Sequence, residues 1–150
     1  LFEKEVTSFR APLLQSSRRI LASLGEAGYK LDFSFPCWEP SHPFNMGGFG
    51  VESVQEFQID RIVEMPLTLF QDHQVLNVMR MNTRQAVKLW IEQARQVRHF
   101  GGNIVLLVHP EYAFSRDLQA YKALLRSLLE IQTDSSMAGS VLGFNALECN

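Results

Sequence analysis

The chain has 150 residues and a mass of 17.1 kDa, enough for one compact domain with a buried core. Hydrophobic residues make up 46% and charged residues 20%, close to an average globular protein, which argues against a disordered or fibrous chain. The net charge of −2 leaves no basic surplus for phosphates, so nucleic acid is not an expected partner, and the longest apolar run, 104–108, is far too short to span a bilayer.

In chain order, 5–9 reads as a short strand, rich in β-branched and aromatic residues and closed by Arg10-Ala11-Pro12. Ser16 or Ser17 then caps a helix to about Ala27, with Ile20, Leu21 and Leu24 on one face and Gly28 suited to the turn that ends it. Residues 29–33 form the next strand. The stretch 36–50 holds three prolines and three glycines together with Trp38 and Phe44, and predicts a long loop of the kind that more often carries function than filler. Residues 62–69 form a strand in which Pro66 suggests a bulge or an edge.

Asn82 or Thr83 caps the strongest predicted helix, whose buried stripe is Ala86, Val87, Trp90, Ile91, Ala94 and Val97. Gly101-Gly102 stops it, and 103–108 is expected to be a parallel strand buried on both faces, ending at His109-Pro110. Asp117 caps a last helix with Leu118, Tyr121, Leu124, Leu125, Leu128 and Leu129 on one stripe, and 139–144 suggests a final short strand. The alternation predicts an α/β fold of mostly parallel strands with outer helices, either an open sheet or part of a β/α barrel. At about 30 residues per βα unit the length supplies about half of a barrel. The chain opens on Leu1, and Phe2-Glu3-Lys4-Glu5 reads as the interior of a domain with no signal-peptide pattern. The expectation is therefore a single domain over 1–150 whose N-terminal portion is missing.

Ligands of parallel α/β folds bind at the carboxyl ends of the strands. Arg10, Asp32 and His109 are expected there. Arg10 and Asp32 at adjacent strand ends could pair and orient another carboxylate. His109 is placed either for acid–base chemistry or simply to bond a loop carbonyl. Asp72-His73, after the strand ending near Leu69, is either a fourth strand-end cluster or, more simply, a loop dipeptide. Trp38 is either a sugar-stacking platform or a residue of the rim. The four histidines show no HxxxH or HExxH spacing, and Cys37 and Cys149 form no CxxC pair, so no metal site is expected from this chain. There is no dinucleotide fingerprint, no P-loop and no nucleophile elbow.

The motifs, in this order, resemble the C-terminal half of the polysaccharide deacetylase (NodB-homology) family. Phe9-Arg10-Ala11-Pro12-Leu13 is similar to its RxPY motif, with Leu13 in place of the aromatic. Gly28-Tyr29-Lys30-Leu31-Asp32-Phe33-Ser34-Phe35-Pro36 is similar to the GYxYDSS segment, with Leu31 for Tyr and Phe33 for the first Ser. Val63-Glu64-Met65-Pro66-Leu67-Thr68 resembles the ExPxT strand, Gln71-Asp72-His73 a QDH found after it in one branch, and Leu107-Val108-His109 the late LxH motif. The resemblance runs from Val6 to about Leu129 and decays beyond Glu130.

It implies a partial, distorted β/α barrel of the polysaccharide deacetylase type, which removes N-acetyl groups from carbohydrate. It also implies a divalent metal, often zinc, that polarises the amide carbonyl and activates water. The family's metal ligands and catalytic base belong to motifs upstream of RxPY, and this sequence has neither the paired Asp-Asp nor the HxxxH. The roles implied here are narrower. Arg10 would position the catalytic-base aspartate, Asp32 would support Arg10, and His109 would be the general acid. Leu107 would line the acetyl-methyl pocket, with Trp38 and Pro12 as further substrate contacts. The functional expectation is a fragment of a metal-dependent hydrolase of carbon–nitrogen bonds, inactive as this isolated chain, with an N-acetylated sugar as partner. The alternative is a non-catalytic glycan-binding or degenerate relative.

Overall fold

The computed structural model describes residues 5–37, 53–109 and 118–134. Trp38 and most of the Pro/Gly-rich loop, the expected cap Asp117 and the expected strand at 139–144 lie outside the described residues. The elements are β1 (Ser8–Phe9), α1 (Arg18–Glu26), β2 (Leu31–Asp32), β3 (Phe57–Ile59), β4 (Ile62–Glu64), α2 (Thr83–His99) and α3 (Leu118–Thr133). The fold is α/β, with a four-stranded mixed sheet in the order β1-β2-β4-β3.

The helices begin where their caps dictate. Ser17, in extended conformation, accepts the Ile20 amide through its side chain and opens α1. Asn82 and Gln85 form a reciprocal capping box that satisfies two otherwise orphaned amides of α2. At the far end Gly101 takes the left-handed conformation at φ 73°, and a Cβ on Gly102 would collide with the Val54 carbonyl oxygen. Two consecutive glycines are therefore required where α2 turns back toward the sheet.

β1, β2 and β4 are parallel, with Phe9 opposite Asp32 and Asp32 opposite Glu64. β3 joins β4 as an antiparallel hairpin, not expected from the sequence, across a two-residue turn in which Asp60 has φ 53°. The strand expected over 62–69 is regular only to Glu64, and pairing resumes in the Pro36–Leu67 bridge. Pro66 lies beyond the end of β3, whose Phe57 faces Glu64, so no neighbour on that side calls for its missing N–H.

The strand expected over 103–108 is corrected in two respects. The segment runs parallel to 67–72, with Thr68 and Leu69 donating to the Val105 carbonyl at 3.1 Å each and Asp72 to that of Leu107 at 3.5 Å. No regular strand is formed, however, and residues 103–109 are half-buried rather than buried on both faces. The reason lies in its partners. The Thr68 hydroxyl takes the place of a backbone group, accepting from Val105 N at 2.9 Å and donating to the Asn103 carbonyl at 2.8 Å. Gln132 of α3 accepts the Ile104 amide at 2.9 Å. Leu106 and Val108 make no backbone hydrogen bond among the described residues.

The main core lies between this segment and the two long helices. Trp90 of α2 is 1% exposed and packs 6.1 Å from the Tyr121 ring of α3, with Ala86, Ala94, Leu124 and Leu128 around it. Val87 and Ile91 pack at its margin. The stripe expected on α3 is split. Tyr121, Leu124 and Leu128 are buried, but Leu118, Leu125 and Leu129 are exposed. A smaller core joins Leu21 of α1 to Phe35 and Ile62, with Leu24 at its edge and Ile20 exposed.

Candidate functional site

The parallel segments end on one side of the sheet in polar residues. Arg10 follows β1, Asp32 ends β2, Glu64 ends β4, and His109 ends the 103–109 segment. Residues from the first and last of these segments line one open groove of about 530 Å³, Arg10 and Phe9 on one side and Leu107 on the other, with Phe33 and Leu67 between them. Arg10 is exposed and makes no hydrogen bond or ion pair among the described residues.

His109 lies two residues past Leu107 and is held twice by one carboxylate. Its backbone N–H donates to Asp72 Oδ2 at 2.6 Å, and its ring Nδ1 contacts Asp72 Oδ1 at 2.6 Å. An ionised carboxylate only accepts, so Nδ1 carries hydrogen and Nε2 is the ring nitrogen on the side away from Asp72. The Asp72 side chain is sealed from solvent while that of His109 is 37% exposed. The same carboxylate accepts the His73 amide at 2.7 Å and lies 3.5 Å from the Tyr121 hydroxyl.

The segment bearing Asp72 is itself braced. Trp90 Nε1 donates to the Phe70 carbonyl at 2.7 Å, and the buried Gln74 side chain accepts the Gln71 amide at 2.9 Å. A π-helical turn, Gln74–Val78, follows, a rare geometry that recurs at functional sites. A carboxylate fixed by a core tryptophan and a wound backbone is pre-organised to orient an imidazole.

Asp32 is also sealed, but no ion pair joins it to Arg10. It accepts from Ser34 N at 3.2 Å and from the Ser34 hydroxyl at 2.8 Å. Ser34 Oγ in turn accepts the Ala11 amide at 2.8 Å. The link from Asp32 to the arginine is thus indirect, through the backbone next to Arg10. Pro12 opens the short helical turn Pro12–Leu14 and is exposed, as its fixed φ and missing donor suit it to do. Leu13 and Leu14 follow with φ 54° and 56°, a strained left-handed pair anchored by the burial of Leu14.

Leu107 shares the groove with Arg10, and Trp38 lies outside the described residues. Burial pushes the Cys37 thiol up to about 11, which leaves it a poor nucleophile at neutral pH. Among the described residues no group of three or more His, Cys, Asp or Glu side chains comes together to hold a metal ion, so they do not fit the divalent metal that the resemblance implies. No helix among them is long and apolar enough to cross a membrane.

Sequence reasoning set Asp72-His73 near a strand end but favoured a loop dipeptide, and it assigned no role to Ser34 or Glu64. The Asp72–His109 contact spans 37 positions, so spacing carries no trace of it. Its sequence signals were a carboxylate three residues beyond the expected strand end at 69 and the Gln71-Asp72-His73 resemblance. Compared with family models, with curated proteins and with solved structures, the chain matches none of them.

Proposed function

We propose that this sequence is the C-terminal portion of a polysaccharide deacetylase-type β/α barrel that hydrolyses the N-acetyl amide of a carbohydrate, with His109 as the general acid. The observation that carries the reading is the double hold of Asp72 on His109, two residues past Leu107, which lines one groove with Arg10.

An amide nitrogen leaves only once it is protonated, so hydrolysis needs a positioned acid. In its protonated form His109 gives the Nε2 proton to the leaving amine, while Asp72 keeps the ring oriented through Nδ1. Arg10 orients the carboxylate that serves as base. Asp32 holds the adjoining backbone through Ser34 and Ala11. Leu107 offers an apolar wall to the acetyl methyl, and Pro12 and Trp38 complete the substrate contacts. On this reading the ligands of the divalent metal come from sequence outside this chain.

The test is acetate release from N-acetylated sugar oligomers, on a protein that joins this sequence to a segment carrying the family's Asp-Asp and HxxxH motifs. His109→Ala should lower turnover by roughly 10²–10⁴-fold with the metal retained. Loss of the metal instead would mean that His109 has another role. Glycan binding without metal-dependent acetate release would favour the non-catalytic alternative.

A further inference from the structure

The steps above leave one buried acid unused. Asp32 and Glu64 are partners across the parallel β2–β4 ladder, which places their side chains on the same face. Both are 0% exposed, so two acids stand on paired positions, shut off from solvent. Two carboxyl groups on paired positions of one buried face disfavour double ionisation, which favours a retained proton on one of them.

The hydrogen-bond partners indicate which. Asp32 already accepts two bonds from Ser34. Glu64 Oε1 accepts the Phe35 amide at 3.0 Å, but Oε2 is buried with no hydrogen-bond partner among the described residues. A proton on Oε2 turns that orphaned acceptor into a donor. Among the described residues no cation pairs with either acid. On α1, Arg18 contacts the exposed Asp60 at 3.8 Å, and Arg19 and Glu26 are exposed. On the hairpin, Arg61 is exposed and Glu56 accepts from Asn103 at 2.5 Å. Lys30 before β2 and Arg10 after β1 are exposed and form no ion pair among the described residues.

We propose that Glu64 is a positioning residue that stays protonated at neutral pH, donates to Asp32 and thereby locks Ser34, the Ala11 amide and the Arg10–Pro12 turn at the groove. Calling that turn part of a site rests on the function proposed above; the proton relay itself does not. Burial, the hydrogen bond to Asp32 and the Asp32 charge together push Glu64 up from 4.5 to about 9. A raised folded-state value means that its contribution to stability is complete below pH 4.5 and is lost as the pH rises to about 9.

The experiment compares the full chain with Glu64→Gln and Glu64→Ala. Glutamine keeps an acceptor for Phe35 and a donor for Asp32 but does not titrate. Its thermal midpoint should therefore gain on the wild type continuously from pH 4.5 to about 9, while alanine should fall below both at the acid end. In the wild type, carboxyl-carbon NMR should show Glu64 titrating near 9, and the Ala11 amide signal should move with the same midpoint. In Glu64→Gln the Ala11 signal should stay still. Parallel pH courses for wild type and Glu64→Gln, or a Glu64 carboxyl that titrates in the ordinary range, would overturn the proposal. None of these readouts needs turnover, so failure of the hydrolase reading would leave them unaffected.

Discussion

Two sealed aspartates, Asp32 at the end of β2 and Asp72 beyond the Pro36–Leu67 bridge, are used in opposite ways. Asp72 gathers donors from the backbone and ring of His109, a residue that still reaches solvent. Asp32 gathers donors from Ser34 and stands opposite a second buried acid, Glu64, all of it inside the molecule. The first arrangement turns a fixed charge outward through an imidazole. The second spends its hydrogen bonds on holding the backbone beside Arg10. Burial alone therefore does not distinguish the two carboxylates; what separates them is whether the partner reaches solvent.

The largest way to break the comparison is Asp72→Ala. It removes the acceptor shared by the His109 and His73 amides and the ring Nδ1–H, all of which now point at one charge. Removing one member of such a buried set costs about 3–5 kcal/mol, with the lower end expected because His109 reaches water. Urea denaturation should show the midpoint falling with the slope unchanged. A loss below about 1 kcal/mol would mean that water replaces Asp72 readily and that His109 is not pre-organised.

Ser34→Ala breaks the other end. It removes the hydroxyl that joins Asp32 to the Ala11 amide and leaves that amide buried without its acceptor. The expected cost is about 2 kcal/mol, smaller than for Asp72 because a single neutral hydroxyl is lost. Hydrogen exchange should show the Ala11 amide losing protection while the His109 amide keeps it. Equal loss at both would mean that the two ends are one cooperative unit rather than two.

The contrast also separates what the sequence disclosed from what it hid. Capping and periodicity are local, so Ser17, Asn82 and the Ala86–Trp90–Ala94 stripe announced α1 and α2 closely. The β3–β4 hairpin escaped because its turn is Asp60-Arg61, not the Asn-Gly or Asp-Gly pair that usually signals one. The exposed half of the α3 stripe, Leu118, Leu125 and Leu129, shows that apolar periodicity gives a face but not what lies against it. Arg10, Asp32 and His109 were legible as strand-end residues. Their partners were not, since the contacts of Asp72 with His109 and of Asp32 with Glu64 join segments far apart in the chain.

The smallest perturbation tests what lies between the two ends. Thr68 stitches the His109 segment to its neighbour, accepting from Val105 N and donating to the Asn103 carbonyl. Thr68→Val keeps the branched shape and removes both bonds, but Val105 is half-buried and water can take over its amide. The main-chain bonds from Thr68 and Leu69 to the Val105 carbonyl also remain. The expected cost is therefore only about 1 kcal/mol in chemical denaturation. The NMR signals of the His109 ring should be unchanged, because Asp72 grips that residue directly. If Thr68→Val instead costs as much as Asp72→Ala and shifts the ring signals, the segment is held at its middle. The imidazole would then be placed by the sheet, with the carboxylate adding only charge.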